Sequence, residues 1–200
     1  MNSLKIVSLF LLLVMPFSVS SAKFLDATEA ANLLAEEWFI KDFSDEPSKY
    51  NLASPIQRQE IMKIAMNMSK TDVQNNCKWV FSDVDRNGWA CKYIEAALEK
   101  GIITKNPKFR PNDKVTKTEA MKIIFKSMWL EKTTKTDNWQ KDYMTSALDH
   151  GIISVSYTDF NAPATRAWLF QIAATTVEVK EEIEEKEMKK KLGLYSDEAE

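Results

Sequence analysis

Two hundred residues carry 27 Lys and Arg against 29 Asp and Glu, a net charge of −2. That balance excludes general nucleic-acid affinity, which needs a concentrated basic face, and the length allows one domain or two small ones. Two cysteines and a single distant histidine, His150, lack the ligand spacing of a zinc site.

The chain opens with Lys5, an apolar run over residues 6–15 and small residues at Ser20 and Ala22. This pattern predicts a secretory signal over residues 1–22, cleaved after Ala22. The run is too short for a bilayer span, which takes about 20 apolar residues. No cysteine follows it to accept a lipid, and nothing later is apolar enough for a transmembrane segment in the mature chain. Cleavage removes Lys5 and leaves 26 basic against 29 acidic residues, so an anionic ligand must be met by a few placed cations.

AANLLAEEWFI, residues 30–40, reads as a first helix, and residues 50–68 hold a second with an apolar seam at Ile61, Ile64, Ala65 and Met68. Ser54-Pro55-Ile56-Gln57 fits its entry, with Pro55 at the first helical position. In an exported chain the pair Cys77 and Cys91 is expected as a disulfide rather than as two free thiols. Closing a loop of about fifteen residues contributes roughly 3 kcal/mol in the chain-entropy model.

The segment DVDRNGWACKYIE, residues 83–95, imitates a calcium loop. Asp83, Asp85, Asn87 and Gly88 fill the early positions of an EF-hand, but the twelfth is Ile94, with Glu95 one residue late. The slip turns the carboxylate by about 100° on a helix. No metal is therefore assigned, and Asp85 or Asn87 is expected to cap a helix starting near Trp89.

From here the chain repeats itself. Trp89, Tyr93, Ala97, Gly101, Ile102 and Ile103 recur with every spacing kept as Trp139, Tyr143, Ala147, Gly151, Ile152 and Ile153. Phe109 and Phe160 follow, then second helices opening at TKTE and TRAW. Tyr50 to Glu60 is spaced as Phe109 to Glu119, so residues 23–70 form a degenerate first unit, without the glycine, ahead of units at 77–130 and 137–177. Gly101 and Gly151 stand where a left-handed residue ends a helix. Met121, Ile124, Phe125 and Met128 continue the interior seam. Residues 178–200 read as a charged helical tail, with pairs Glu182–Lys186, Glu185–Lys189 and Glu187–Lys191, ended by Gly193.

The run FSDV, W, YI, A, GII, F.P, VTKTE, KIIF resembles the S-layer homology (SLH) domain, a triplicated module that tethers bacterial surface proteins to the cell wall. The resemblance implies a mainly α fold: three helix–turn–helix repeats forming a three-pronged spindle around a central helical bundle. It also implies grooves for cell-wall polysaccharide, often through a pyruvylated terminal sugar, or for a peptidoglycan-linked polymer.

The family's signature is Thr-Arg-Ala-Glu at the start of each second helix. Here it stands as Gln57-Arg58-Gln59-Glu60, Thr116-Lys117-Thr118-Glu119 and Thr165-Arg166-Ala167-Trp168. Thr is lost from the first, Glu from the third, and Lys117 lacks arginine's planar fork, so fewer than three competent grooves is one expectation. Thr116, Thr165 and Glu119 fit a capping box. The cations do not, because positive charge in a first turn opposes the helix dipole by about 0.3–1 kcal/mol. Arg58, Lys117 and Arg166 are read either as anion-binding groups beside free helix NH groups or as partners of carboxylates across unit interfaces. Trp89 and Trp139 are read as core or as sugar-stacking faces, and Trp168 as a groove edge or as packing beside Leu169 and Ile172.

The leading expectation is a non-catalytic, exported wall-binding module at the cell wall, cell surface or periplasm, with no cofactor. The alternative is an adaptor with degenerate grooves that binds another envelope protein. An enzyme ranks last: no nucleophile–base pair, carboxylate dyad or metal set stands out.

Overall fold

The computed structural model describes residues 25–194, so the expected secretory signal lies outside the described residues. Among them are six α-helices and no strands: α1 (Ala27–Glu36), α2 (Arg58–Met68), α3 (Cys91–Glu99), α4 (Lys117–Ser127), α5 (Trp139–Asp149) and α6 (Arg166–Lys191). The protein is mainly α-helical. No described helix is long and apolar enough to cross a membrane.

The second helix of each unit forms as its sequence suggests. Met62, Ala65 and Met66 on α2, Met121, Ile124 and Phe125 on α4, and Leu169, Phe170 and Ala173 on α6 are buried, which follows from apolar residues at helical spacing. Their entries differ from the reading of Pro55. Gln57, not Ser54, precedes the first helical residue, and Pro55 lies in an isolated antiparallel bridge with Thr165. Two more bridges join Gln57 to Lys114 and Thr116 to Pro163.

The bridges belong to a closed ring. Ile56 N donates to Ala164 O, Ala164 N to Val115 O, and Val115 N to Ile56 O, at 2.9, 2.9 and 3.2 Å. Ile56, Val115 and Ala164 are almost wholly buried. Extended residues with no sheet to enter thereby satisfy their backbone groups inside the core.

The helices pair across units rather than within them. The strongest helix contacts put α1 on α6, α3 on α2 and α5 on α4. The units are therefore not self-contained helical hairpins: each first helix covers the second helix of the unit before it, and α1 on α6 closes the circle. Long α6 continues to Lys191 and ends through Leu192 and Gly193. Along it Lys180–Glu184 and Lys189–Glu185 pair. The expected pairs Glu182–Lys186 and Glu187–Lys191 are not among the ion pairs of the described residues.

First helices end alike. Gly101 and Gly151 adopt φ of +69° and +72°, and Trp38 takes the corresponding place at +61°. In each case the next two NH groups reach back to one carbonyl: Phe39 and Ile40 to Leu34, Ile102 and Ile103 to Ala97, Ile152 and Ile153 to Ala147. The backbone geometry is kept where the glycine is not.

The approach to each later first helix is pinned by a buried carboxylate. Glu95 accepts from Lys78 N and Val80 N at 2.7 and 2.9 Å, beside the Cys77–Cys91 disulfide, whose Cα atoms are 5.8 Å apart. Asp142 accepts from Thr136 N and Oγ1 and from Lys132 Nζ. The Thr136 hydroxyl, with Lys132, holds the Asp142 carboxyl below its usual range.

The calcium-like segment is a clamp. Asp83 directs both oxygens at Phe109 N and Arg110 N, each at 2.8 Å. Burial alone would raise its pKa, but those amides together hold it below the usual carboxylate value. Asp85 accepts from Asn87 N in a local turn. Neither Asp85 nor Asn87 caps α3, whose N-cap is Ala90 without a side-chain bond.

Candidate functional site

The three signature segments meet around the backbone ring. Thr116 Oγ1 accepts from Glu119 N, and Glu119 Oε2 from Thr116 N. Thr165 Oγ1 accepts from Trp168 N, and Glu60 Oε2 from Gln57 N. The caps at Thr116, Glu119 and Thr165 fall on the expected residues, and the Gln57–Glu60 cap replaces the one expected at Ser54–Pro55.

The helix NH groups are not free, as an anion site at each terminus would need. Arg58 N donates to Asp113 O, Lys117 N to Ala162 O and Arg166 N to Ser54 O. Gln59 N and Ala167 N are likewise taken, by Pro111 O and Leu52 O. Arg58, Gln59, Lys117, Arg166 and Ala167 thus spend their NH groups on the preceding segment of a neighbouring unit, and Glu119 and Trp168 spend theirs on their own caps.

The arginine side chains also reach across units. Arg166 Nε donates to Tyr50 O at 2.7 Å and Nη1 to Glu60 Oε1 at 2.8 Å. Arg58 repeats the geometry: Nε to Phe109 O at 3.0 Å and Nη1 to Glu119 Oε1 at 3.2 Å. Burial pulls the Arg58 guanidinium below its usual pKa, opposed in part by Glu119. Each glutamate thus splits its oxygens between its own cap and a neighbour's arginine. The carboxylate-partner reading of the two arginines holds, and Nη2 of each has no hydrogen-bond partner among the described residues.

Beyond each arginine–glutamate pair lies a lysine against a tryptophan. Lys63 Nζ stands 6.0 Å from the Trp89 ring centroid, and Lys122 Nζ 4.7 Å from that of Trp139. Trp89 is 50% and Trp139 39% exposed, so neither is a core residue. Burial, with Lys126 nearby, pulls the Lys122 ammonium below its usual pKa. Glu60, Lys63, Trp89 and Arg166, with Lys41 and Tyr50, line an open cleft of about 220 Å³, smaller than the roughly 300–1,000 Å³ of a drug-sized pocket. This cleft takes Arg166 from the third unit, Glu60 and Lys63 from the first, and Trp89 from the second.

The third position is built differently. Lys117 Nζ lies 4.5 Å from the Tyr157 centroid and 5.5 Å from that of Trp168. Trp168 Nε1 donates to Tyr157 Oη at 2.9 Å, and Trp168 is half-buried rather than open to the groove. Gln171 occupies the helical position of Lys63 and Lys122, and donates to Leu25 O at 2.9 Å. Asp26 precedes left-handed Trp38 by the interval that separates Trp89 from Gly101, and it caps α1.

Lys63, Lys122, Tyr157 and Asp26 were not singled out in the sequence. Lys63 and Lys122 stand five positions after Arg58 and Lys117, a coincidence that unit alignment contains. Tyr157 has no such signal, because the 151–164 stretch is shorter than its counterpart.

The S-layer homology domain model matches residues 80–121. The chain is 27% identical over 169 residues to a "Surface-layer 125 kDa protein" of Lysinibacillus sphaericus, covering 76% of this chain. It is 27% identical over 161 residues to "Exoglucanase XynX" of Acetivibrio thermocellus, and 26% over 129 residues to an "Endoglucanase" of Bacillus sp. (strain KSM-635), covering 70% and 60% of this chain. In each case the chain spans 14% of the relative's length.

Proposed function

Because the chain is an S-layer homology domain protein, matched over residues 80–121, we propose that it is a non-catalytic module that anchors at the bacterial cell wall by binding a carboxylate-bearing wall sugar. It would be exported by the signal at residues 1–22, with units at 23–70, 77–130 and 137–177 cooperating in each site. The observation that carries this reading is the cleft at Arg166, Glu60, Lys63 and Trp89. A half-exposed indole offers a face to a sugar ring. An arginine edge and a lysine ammonium offer charge to a carboxylate. Glu60 adds little repulsion, since both its oxygens are engaged. A pyruvyl ketal, which fixes a carboxylate rigidly to a hexose, suits this set.

Co-sedimentation with purified wall sacculi tests the proposal, against sacculi stripped of secondary polymers. Binding lost on stripping, reduced by Trp89→Ala or Lys63→Ala, and abolished when Trp139→Ala is added, is the expected result. Those side chains can be removed without opening the core. Binding to neither preparation would sink the wall reading and leave the adaptor reading, with another envelope protein as ligand.

A further inference from the structure

We infer that the molecule has two ligand-competent clefts, one at Arg166–Trp89 and one at Arg58–Trp139, and that the third is shut by its own lysine. This inference rests on the wall-sugar reading for its ligand, but on the molecule's internal comparison for its count.

Four elements define the competent clefts: an arginine, the glutamate that orients it, a lysine, and an exposed tryptophan. All four recur in both. At the third position every one is replaced. Lysine stands for arginine at 117, tryptophan for glutamate at 168, glutamine for lysine at 171, and aspartate for tryptophan at 26.

The replacements are mutually consistent. Without a carboxylate at 168, the Lys117 ammonium finds its counter-group in the faces of Tyr157 and Trp168. The indole–phenol hydrogen bond holds those two rings at right angles, so they form a fixed corner. A lysine so held is withdrawn from a carboxylate in solution. Asp26, a helix cap at the position equivalent to Trp89 and Trp139, offers no aromatic face. Closure also joins α4 to the loop before α6, so the third interface works as a strut.

The test has two arms. Calorimetry with a pyruvyl-ketal hexose monosaccharide should give two sites per chain. Lys117→Ala should leave two, Trp89→Ala and Trp139→Ala one each, and the double variant none. One site or three for the parent overturns the count. No binding by the parent overturns the count and the wall-sugar reading together, and leaves the closure to the second arm. There, carbon-13 reductive methylation labels the lysines. The Lys117 methyl resonance should lie upfield through ring currents and return to the free-lysine position in Trp168→Ala. An undisplaced resonance overturns the closure whatever the sugar does.

Discussion

The Arg58 and Arg166 clefts and the Lys117 position occupy equivalent places around one ring of backbone hydrogen bonds, yet they solve the same local problem in different ways. A cation in the first turn of a helix is unfavourable against the dipole. In two cases a glutamate from the neighbouring unit offsets it, and the arginine keeps a free edge. In the third, two aromatic rings offset it and leave the cation nothing to offer. The difference teaches that a signature cation can serve interface packing at one position and, on the proposed reading, ligand binding at the other two. The caps and ion pairs are structural duties, and the arginine, glutamate, lysine and tryptophan together separate the two arginine positions from the Lys117 position.

The comparison can be broken most forcefully at the disulfide, which braces α3 behind Trp89 and has no counterpart behind Trp139. Cys77→Ser with Cys91→Ser is expected to lower unfolding free energy by about 3 kcal/mol, read by urea denaturation. In that variant sugar affinity should fall at the Trp89 cleft and persist at the Trp139 cleft. Equal loss at both would mean the brace acts globally.

Next in size are the arginines. Arg58→Met and Arg166→Met each forfeit a charged hydrogen bond to a carbonyl and an ion pair, costing about 2 kcal/mol. Lys117→Met loses only ring contacts, about 0.5–1 kcal/mol. If Lys117→Met proved the costliest of the three, the ranking of the interfaces would be wrong.

Asp142, which positions the entry to the Trp139 helix, gives the comparison a pH axis. Its folded pKa lies below the unfolded value of about 4. The stability it contributes is therefore complete above about pH 4 and lost as pH falls through the folded value. Asp142→Asn should flatten the acid limb of the stability curve, measured by thermal unfolding from pH 2 to 6. An unchanged acid limb would remove Asp142 from the account.

The smallest effect expected is at Trp38, 85% exposed in a left-handed conformation. Trp38→Gly relieves roughly 1–2 kcal/mol of steric cost but returns about 0.4–1 kcal/mol of unfolded-chain entropy. A net gain of about 0.5 kcal/mol is expected, with both clefts unaffected. Destabilisation would show that Trp38 makes a contact its exposure conceals.

Much of this molecule is legible in its residues taken in order. Helical seams, glycine ends, the capping threonines and the cysteine pair are local or compositional signals, set by side-chain period, backbone conformation and redox compartment. Where the glycine is absent, Trp38 takes the same left-handed conformation, with Phe39 buried beside it. What the order of residues could not decide is which unit each helix covers, since hairpin and ring arrangements bury the same apolar faces. Only the tertiary structure sends α1 to α6, spends the helix NH groups on neighbouring carbonyls, and sets Arg166, Glu60 and Trp89 from three separate units around one cleft. The physical reason is closure: extended segments at Ile56, Val115 and Ala164 have backbone donors and acceptors that no single unit can satisfy, and a ring of three satisfies them all.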